Sequence, residues 1–310
     1  MRVLPGPTKS NQVLAWSPDG RFVAAAGSGD GVMVWDADGR EPGQRVLSAG
    51  HGGEAMRFCP RTSRLYVAFR SGGFWSFDPD TGYEHPRRPT HSRVQYSCPA
   101  VSDDGQTVIL RRHSYMTPPG EHAIVGFAVA DDGSLTEAWA RPDTTVIGFA
   151  RFDFTFRPRT DQLFGLLGPS GGPREFLWTT ATTGQVVGSF PLVTDTQPVT
   201  QWVLAPDGER VAWLCDRAIF VQRLGEPEPR MLSAVEGEYR RGLAWAPDCR
   251  MLAYCTGTTV RLLDADTFAE SRAFDWGTGK PRAVCFSPDG FRAAVSADGG
   301  KGWVTVFDLE

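Results

Sequence analysis

The chain has 310 residues, 41% of them hydrophobic and 22% charged, with a formal net charge of -4. This composition excludes a disordered chain and supplies enough apolar surface for a substantial core. The acidic balance gives no bulk attraction to phosphate backbones or anionic membranes, so neither nucleic acid nor membrane is expected as a partner.

Met1 to Gly6 contain no apolar leader segment and no run of about eighteen apolar residues follows, which sets the expected location as cytoplasmic. The first strong signal is Ser17-Pro18-Asp19-Gly20. Serine favours the first place of a type I turn, proline presets φ at the second, aspartate suits the third, and glycine takes the left-handed conformation that ends it. The flanking apolar runs Val13 to Trp16 and Phe22 to Ala26 read as strands, followed by Val32 to Trp35 and Arg45 to Leu47.

Relatives of this turn recur at Cys59-Pro60, Ser102-Asp103, Arg157-Pro158, Ala205-Pro206, Ala246-Pro247 and Ser287-Pro288, so that the second residues lie 42, 43, 55, 48, 41 and 41 positions apart. A period in the forties implies a repeat architecture. Each repeat holds four short antiparallel strands, and one such sheet cannot bury both faces alone, so seven must stack around an axis. The expected fold is all-β: a seven-bladed β-propeller of four-stranded antiparallel blades, with residues 1–310 forming one domain.

The last repeat ends at Val304 to Leu309, which corresponds only to a third strand. Its fourth is expected from the other end of the chain, where Arg2-Val3-Leu4 resembles Arg45-Val46-Leu47, Arg230-Met231-Leu232 and Arg272-Ala273-Phe274. Residues 1–5 would thus complete blade seven and close the ring, covering an open edge and leaving no sequence for a second domain.

The segment from Gly27 to Asp36, with Trp35-Asp36 at its end, resembles the third-strand signature of the WD-repeat β-propeller family, and Gly50-His51 resembles its Gly-His pair. The resemblance spans essentially the whole chain and implies a noncatalytic interaction scaffold. The polar set that ties a typical family blade together is incomplete: His51 lacks the aspartate in its own repeat, and Asp30 with Trp35 lacks the histidine. Apolar packing is expected to carry the fold instead, through Trp16, Phe58, Val101, Phe156, Leu204, Trp245 and Phe286, each two places before the second residue of its turn.

Six places before that residue, where the first strand begins, stand Gln12, Glu54, Ser97, Phe152, Thr200, Arg241 and Arg282. They include no set of carboxylates to hold a hard cation, and no nucleophile or phosphate-binding motif occurs, so no catalytic residue, metal site or cofactor is expected. The six cysteines form no Cys-x-x-Cys pair and read as reduced thiols.

Two patches are candidate surfaces for a protein or peptide partner. One is Tyr239, Arg240 and Arg241 with Lys280 and Arg282, on loops entering blades six and seven. Tyrosine and arginine suit interface centres, and the charge would select an acidic or phosphorylated partner. The other lies on blades two to four: a long basic connection from Gly82 to Ser97 with Arg87, Arg88 and His91, an extended turn from Arg111 to Glu121 with Arg112 and His113, the segment holding Phe149, Arg151 and Asp153, and a glycine-rich tip at 168–173. His85, His91, His113 and His122 read as solvated surface rather than a metal site.

The expected function is a noncatalytic protein-interaction scaffold acting as a monomeric propeller. A lactonase-like or other hydrolase with an axial site, and a regulatory or sensor propeller of a larger system, are the alternatives.

Overall fold

The computed structural model describes residues 1–4, 11–27, 31–40, 45–46, 53–69, 73–82, 84–87, 94–114, 123–142, 154–167, 174–192, 199–215, 218–232, 240–275, 277, 279–298 and 304–309. These form seven four-stranded antiparallel sheets, the blades of a seven-bladed β-propeller, in which six blades run in chain order from first to fourth strand and the seventh takes its fourth strand from the start of the chain. The contacts group into two compact units, Met1–Gly50 with Thr196–Glu310, and His51–Asp195. The first holds blades one, five, six and seven; the second holds blades two, three and four.

Blade seven consists of Lys280–Phe286, Arg292–Asp298, Val304–Asp308 and, from the start of the chain, Arg2–Leu4. Leu4 lies opposite Val304 and Arg2 opposite Val306. Leu4 is buried in a cluster with Trp16, Val23, Met33, Trp35, Val304 and Val306, so the terminal strand adds core as well as covering an edge.

The recurrent turn is built as its residue types dictate. The Ser17 hydroxyl donates to Asp19 Oδ1 at 2.5 Å and accepts from the Phe22 N–H at 2.8 Å, while Gly20 has φ of 72°. Ser102 with Asp104 and Ser287 with Asp289 repeat this geometry. The aspartate ending the third strand caps the next turn: Asp36 Oδ1 accepts the Asp38 N–H at 2.8 Å and Asp264 Oδ1 that of Asp266 at 3.1 Å. This is the physical role of the aspartate in Trp35-Asp36.

Apolar packing between blades is supplemented by arginines that reach forward from one blade to the next. Arg292, on the second strand of blade seven, lies 5.0 Å over the Trp16 ring of blade one, donates to Asp38 Oδ1 at 2.8 Å and to the Gly20 carbonyl at 3.3 Å. Arg210 does the same from blade five to blade six, over Trp245 at 5.1 Å, to Asp266 Oδ1 at 3.1 Å and to the Cys249 carbonyl at 2.8 Å. Fourth-strand arginines form a second set: Arg2 donates to the Ala37 carbonyl, Arg141 to that of Ala181, Arg230 to that of Asp266 and Arg272 to that of Leu309. The arginine that recurs in Arg2-Val3-Leu4, Arg230-Met231-Leu232 and Arg272-Ala273-Phe274 therefore has a structural cause.

In the third blade Val94–Val101, Thr107–Ser114 and Leu135–Pro142 each span eight residues. The basic segments expected in loops are partly strand. Glu84–Arg87 is the fourth strand of blade two, and Arg111, Arg112 and His113 continue the second strand of blade three.

Deleting residues 1–5 exposes the edge of Val304–Asp308 and removes Leu4, whose burial alone is worth about 2 kcal/mol. Thermal unfolding of the truncated chain should show Tm lower by about 4 °C or more; an unchanged Tm would contradict the closure. The turn aspartates carry a pH signature. The Ser287 hydroxyl, followed by the Phe291 N–H and the Arg292 charge, holds the Asp289 carboxyl below its usual range. A depressed folded pKa contributes stability that is full above the unfolded value of about 4 and is lost as pH falls through the folded one. Asp289→Asn should thus lower Tm at pH 7, with the difference shrinking towards zero near pH 2; a difference independent of pH would contradict this.

Candidate functional site

The starts of the first strands are irregular in the same place in several blades. The ladder skips a residue between Asn11 and Val13, between Gly53 and Ala55, and between Pro281 and Ala283, and skips two between Arg241 and Ala244. The skipped residues include Gln12, Glu54 and Arg282, three of those standing six places before the turn residue. A bulge re-aims the side chain it carries out of the ladder, a device common at binding sites.

Between blades five and six the bulge is stitched by Gln201, whose Nε2 donates to the Leu243 carbonyl at 3.2 Å and whose Oε1 accepts the Leu243 N–H at 3.0 Å. This satisfies both backbone groups of Leu243, one of the two residues that the bulge takes out of the ladder. Next to it, Gly242 has φ of 58°, and a Cβ there would lie 2.9 Å from the Arg282 carbonyl oxygen and from Ala283 Cα. Glycine is required by both the conformation and the close approach. The contact brings the Arg241–Gly242 backbone against Arg282–Ala283, so two of the expected site residues become neighbours.

Arg241 and Lys280 are exposed, while Arg282 is half-buried and ion-paired with Asp298. Asp298 also stands opposite Lys280 in the ladder. Asp298 is thus flanked by Arg282 and Lys280, and Arg241 stands on the neighbouring strand start. All three lie on strand starts, Arg240–Trp245 and Lys280–Phe286, rather than on the loops where the sequence pattern puts them. Tyr239 and the side chain of Arg240 lie outside the described residues.

Of the blade two to four patch, the side chains of Arg111 and Arg112 are described. Arg111 is buried at 8% exposure and Arg112 pairs with Glu137 at 3.7 Å. Arg87 and His85 fall on the fourth strand of blade two and His113 on the second strand of blade three, with their side chains outside the description. Arg88, His91, His122, the segment with Phe149, Arg151 and Asp153, and the glycine-rich tip also lie outside it.

Blades two and three carry a separate feature that the sequence pattern did not single out. A cavity of about 290 Å³ is lined by Arg61, Thr62, Arg64, Asp78, Asp131 and Asp132. Arg64 is 6% exposed; its Nε donates to Ser76 Oγ at 2.9 Å, and its Nη1 lies 3.4 Å from the Asp132 carbonyl and 3.6 Å from Asp78 Oδ2. Arg61 pairs with Asp131 and donates to the Val129 carbonyl at 2.5 Å. The neighbouring Tyr66 hydroxyl is held above its usual range, chiefly by burial, and remains protonated. Among the described residues, no group of three or more His, Cys, Asp or Glu side chains is placed to hold a metal ion. Cys59, Cys215, Cys249 and Cys255 are buried free thiols, and burial pushes the Cys255 thiol up, which keeps it unreactive.

The signal for the interblade arginines was present in the sequence. Asp36-Ala37-Asp38 and Asp264-Ala265-Asp266 recur in the two repeats that carry tryptophan before the turn, and each preceding repeat has arginine four places after its turn proline.

The family model described as WD domain, G-beta repeat, matches residues 1–36. Residues 1–36 are thus similar to a WD repeat. That match covers the terminal strand and the first three strands of blade one, ending on Trp35-Asp36. No curated protein matches the chain. Among solved structures the fold is similar to that of the Cps50 (Swd1) β-propeller domain of Myceliophteria thermophila, with TM-score 0.75 and 11% identity over 100% of both chains. WD-repeat propellers generally mediate protein–protein interaction.

Proposed function

We propose that the chain is a noncatalytic protein-interaction module that docks an acidic or phosphorylated segment of a partner protein on the first-strand starts of blades six and seven. The observation that carries this reading is the contact at Gly242, which sets exposed Arg241 beside the strand bearing exposed Lys280 and the bulged Arg282. Among the described residues, Arg241, Lys280 and Arg282 gather beside Asp298 on a chain whose net charge is negative. Guanidinium groups recognise carboxylate and phosphate through paired N–H donors.

The framework supports recognition rather than chemistry. Gln201 and Gly242 fix the backbone of the bulges, so the cations project from a rigid platform, and a preorganised surface binds with less ordering of its own. The repeat family supports the same general role.

Arg241→Glu with Lys280→Glu reverses the two exposed charges and leaves the Arg282–Asp298 pair intact. A panel of acidic, phosphorylated and neutral peptides should show acidic or phosphorylated members bound by the parent chain, at least about tenfold weaker binding by the double variant, and unchanged Tm. Equal binding by both chains, or no preference for acidic peptides, would contradict the proposal.

A further inference from the structure

Arg282 is already seated on a carboxylate of its own chain. Its Nε and Nη2 both donate to Asp298 Oδ2, so the paired donors along one edge of the guanidinium converge on a single internal oxygen. Such an edge is what arginine offers to a ligand carboxylate or phosphate.

A local irregularity builds the pair. The ladder of blade seven sets Lys280 opposite Asp298 and Pro281 opposite Ala297, then skips Arg282 and resumes with Ala283 opposite Ser296. The bulge frees Arg282 from a place in the ladder, and its side chain turns back to Asp298 at the end of Arg292–Asp298. Fold stability does not account for this contact. Arg292 and Arg210 each bridge two blades, whereas Arg282 and Asp298 lie on adjacent strands of one blade that the ladder already joins. The two side chains are 30% and 27% exposed. A partly exposed pair contributes little to stability, and an incoming anion can reach it.

We infer that Asp298 is a built-in competitor at this surface, an internal carboxylate that holds Arg282 until an acidic or phosphorylated segment displaces it. The inference rests on the docking surface proposed above. Exposed Arg241 and Lys280 attract the segment, and Arg282 receives it only when Asp298 lets go. Asp298 thereby lowers the affinity for every anionic segment and sets how much negative charge a partner must bring.

Fluorescence anisotropy with phosphoserine, glutamate and alanine versions of one peptide tests this on the full chain. Asp298→Asn should bind the phosphoserine and glutamate peptides at least about fivefold more tightly than the parent chain does, and the alanine peptide no more tightly. Adding Arg282→Lys to Asp298→Asn keeps the charge but removes the planar pair of donors, so affinity should fall back to within about twofold of the parent. Asp298→Ser should reproduce the gain, with Tm recorded for each chain, so that one poorly folded variant does not decide the result. If Asp298→Asn and Asp298→Ser bind no more tightly while binding still depends on Arg241 and Lys280, the inference fails and the docking surface stands. A full gain kept by the Arg282→Lys chain would also overturn it, since a long-range charge effect would then explain the gain. Binding of neither anionic peptide by any of these chains would overturn the docking surface, and the inference with it.

Discussion

The guanidinium of Arg292, laid on the Trp16 ring and reaching the Asp38 carboxylate, joins the last repeat of the chain to the first. A four-stranded sheet has two apolar faces, and within each unit neighbouring sheets cover them against one another. Apolar contact supplies most of the energy, but it is non-directional and does not fix the rotation of one blade on the next. The arginine adds that direction: a ring below, a carboxylate ahead and a turn carbonyl to the side. Arg210 repeats the arrangement with Trp245 and Asp266, and the fourth-strand arginines anchor the outer edge of the same interfaces.

Where the junction is complete, it is closed structure. In blades two and three, Val101 and Ala130 stand at the ring and carboxylate positions, and Arg64 keeps a buried donor without an acceptor. At the other end of the strands, bulges at Arg241–Ala244 and Pro281–Ala283 turn side chains out of the ladder, and Gln201 and Gly242 hold those bulges in place. The bulged platform is a departure from a repeated pattern, and the pattern makes it visible.

Turn chemistry made most of the fold legible in the sequence. Ser17-Pro18-Asp19-Gly20 and its relatives located every blade, and Arg2-Val3-Leu4 was recognisable as a fourth strand because it shares its arginine and apolar residues with the others. The basic segments misled for a physical reason. Glu84-His85-Pro86-Arg87 is charged and contains proline, as a loop does, yet outer edge strands tolerate both because one side of their backbone pairs with nothing. Arg111 and Arg112 look like a solvated pair, but strand alternation sends one side chain inward to a buried position and the other towards Glu137. The interblade arginines escaped notice because their partners lie in the following repeat, outside any local window.

The claim that directed arginine contacts fix one blade on the next is tested most directly by a double-mutant cycle on Arg292→Met and Asp38→Asn, read by thermal and denaturant unfolding. The account predicts that Arg292→Met alone lowers stability by about 2 kcal/mol and that the two changes couple by about 1 kcal/mol. Strict additivity, with Arg292→Met changing stability by less than about 0.5 kcal/mol as an ordinary surface substitution does, would contradict it.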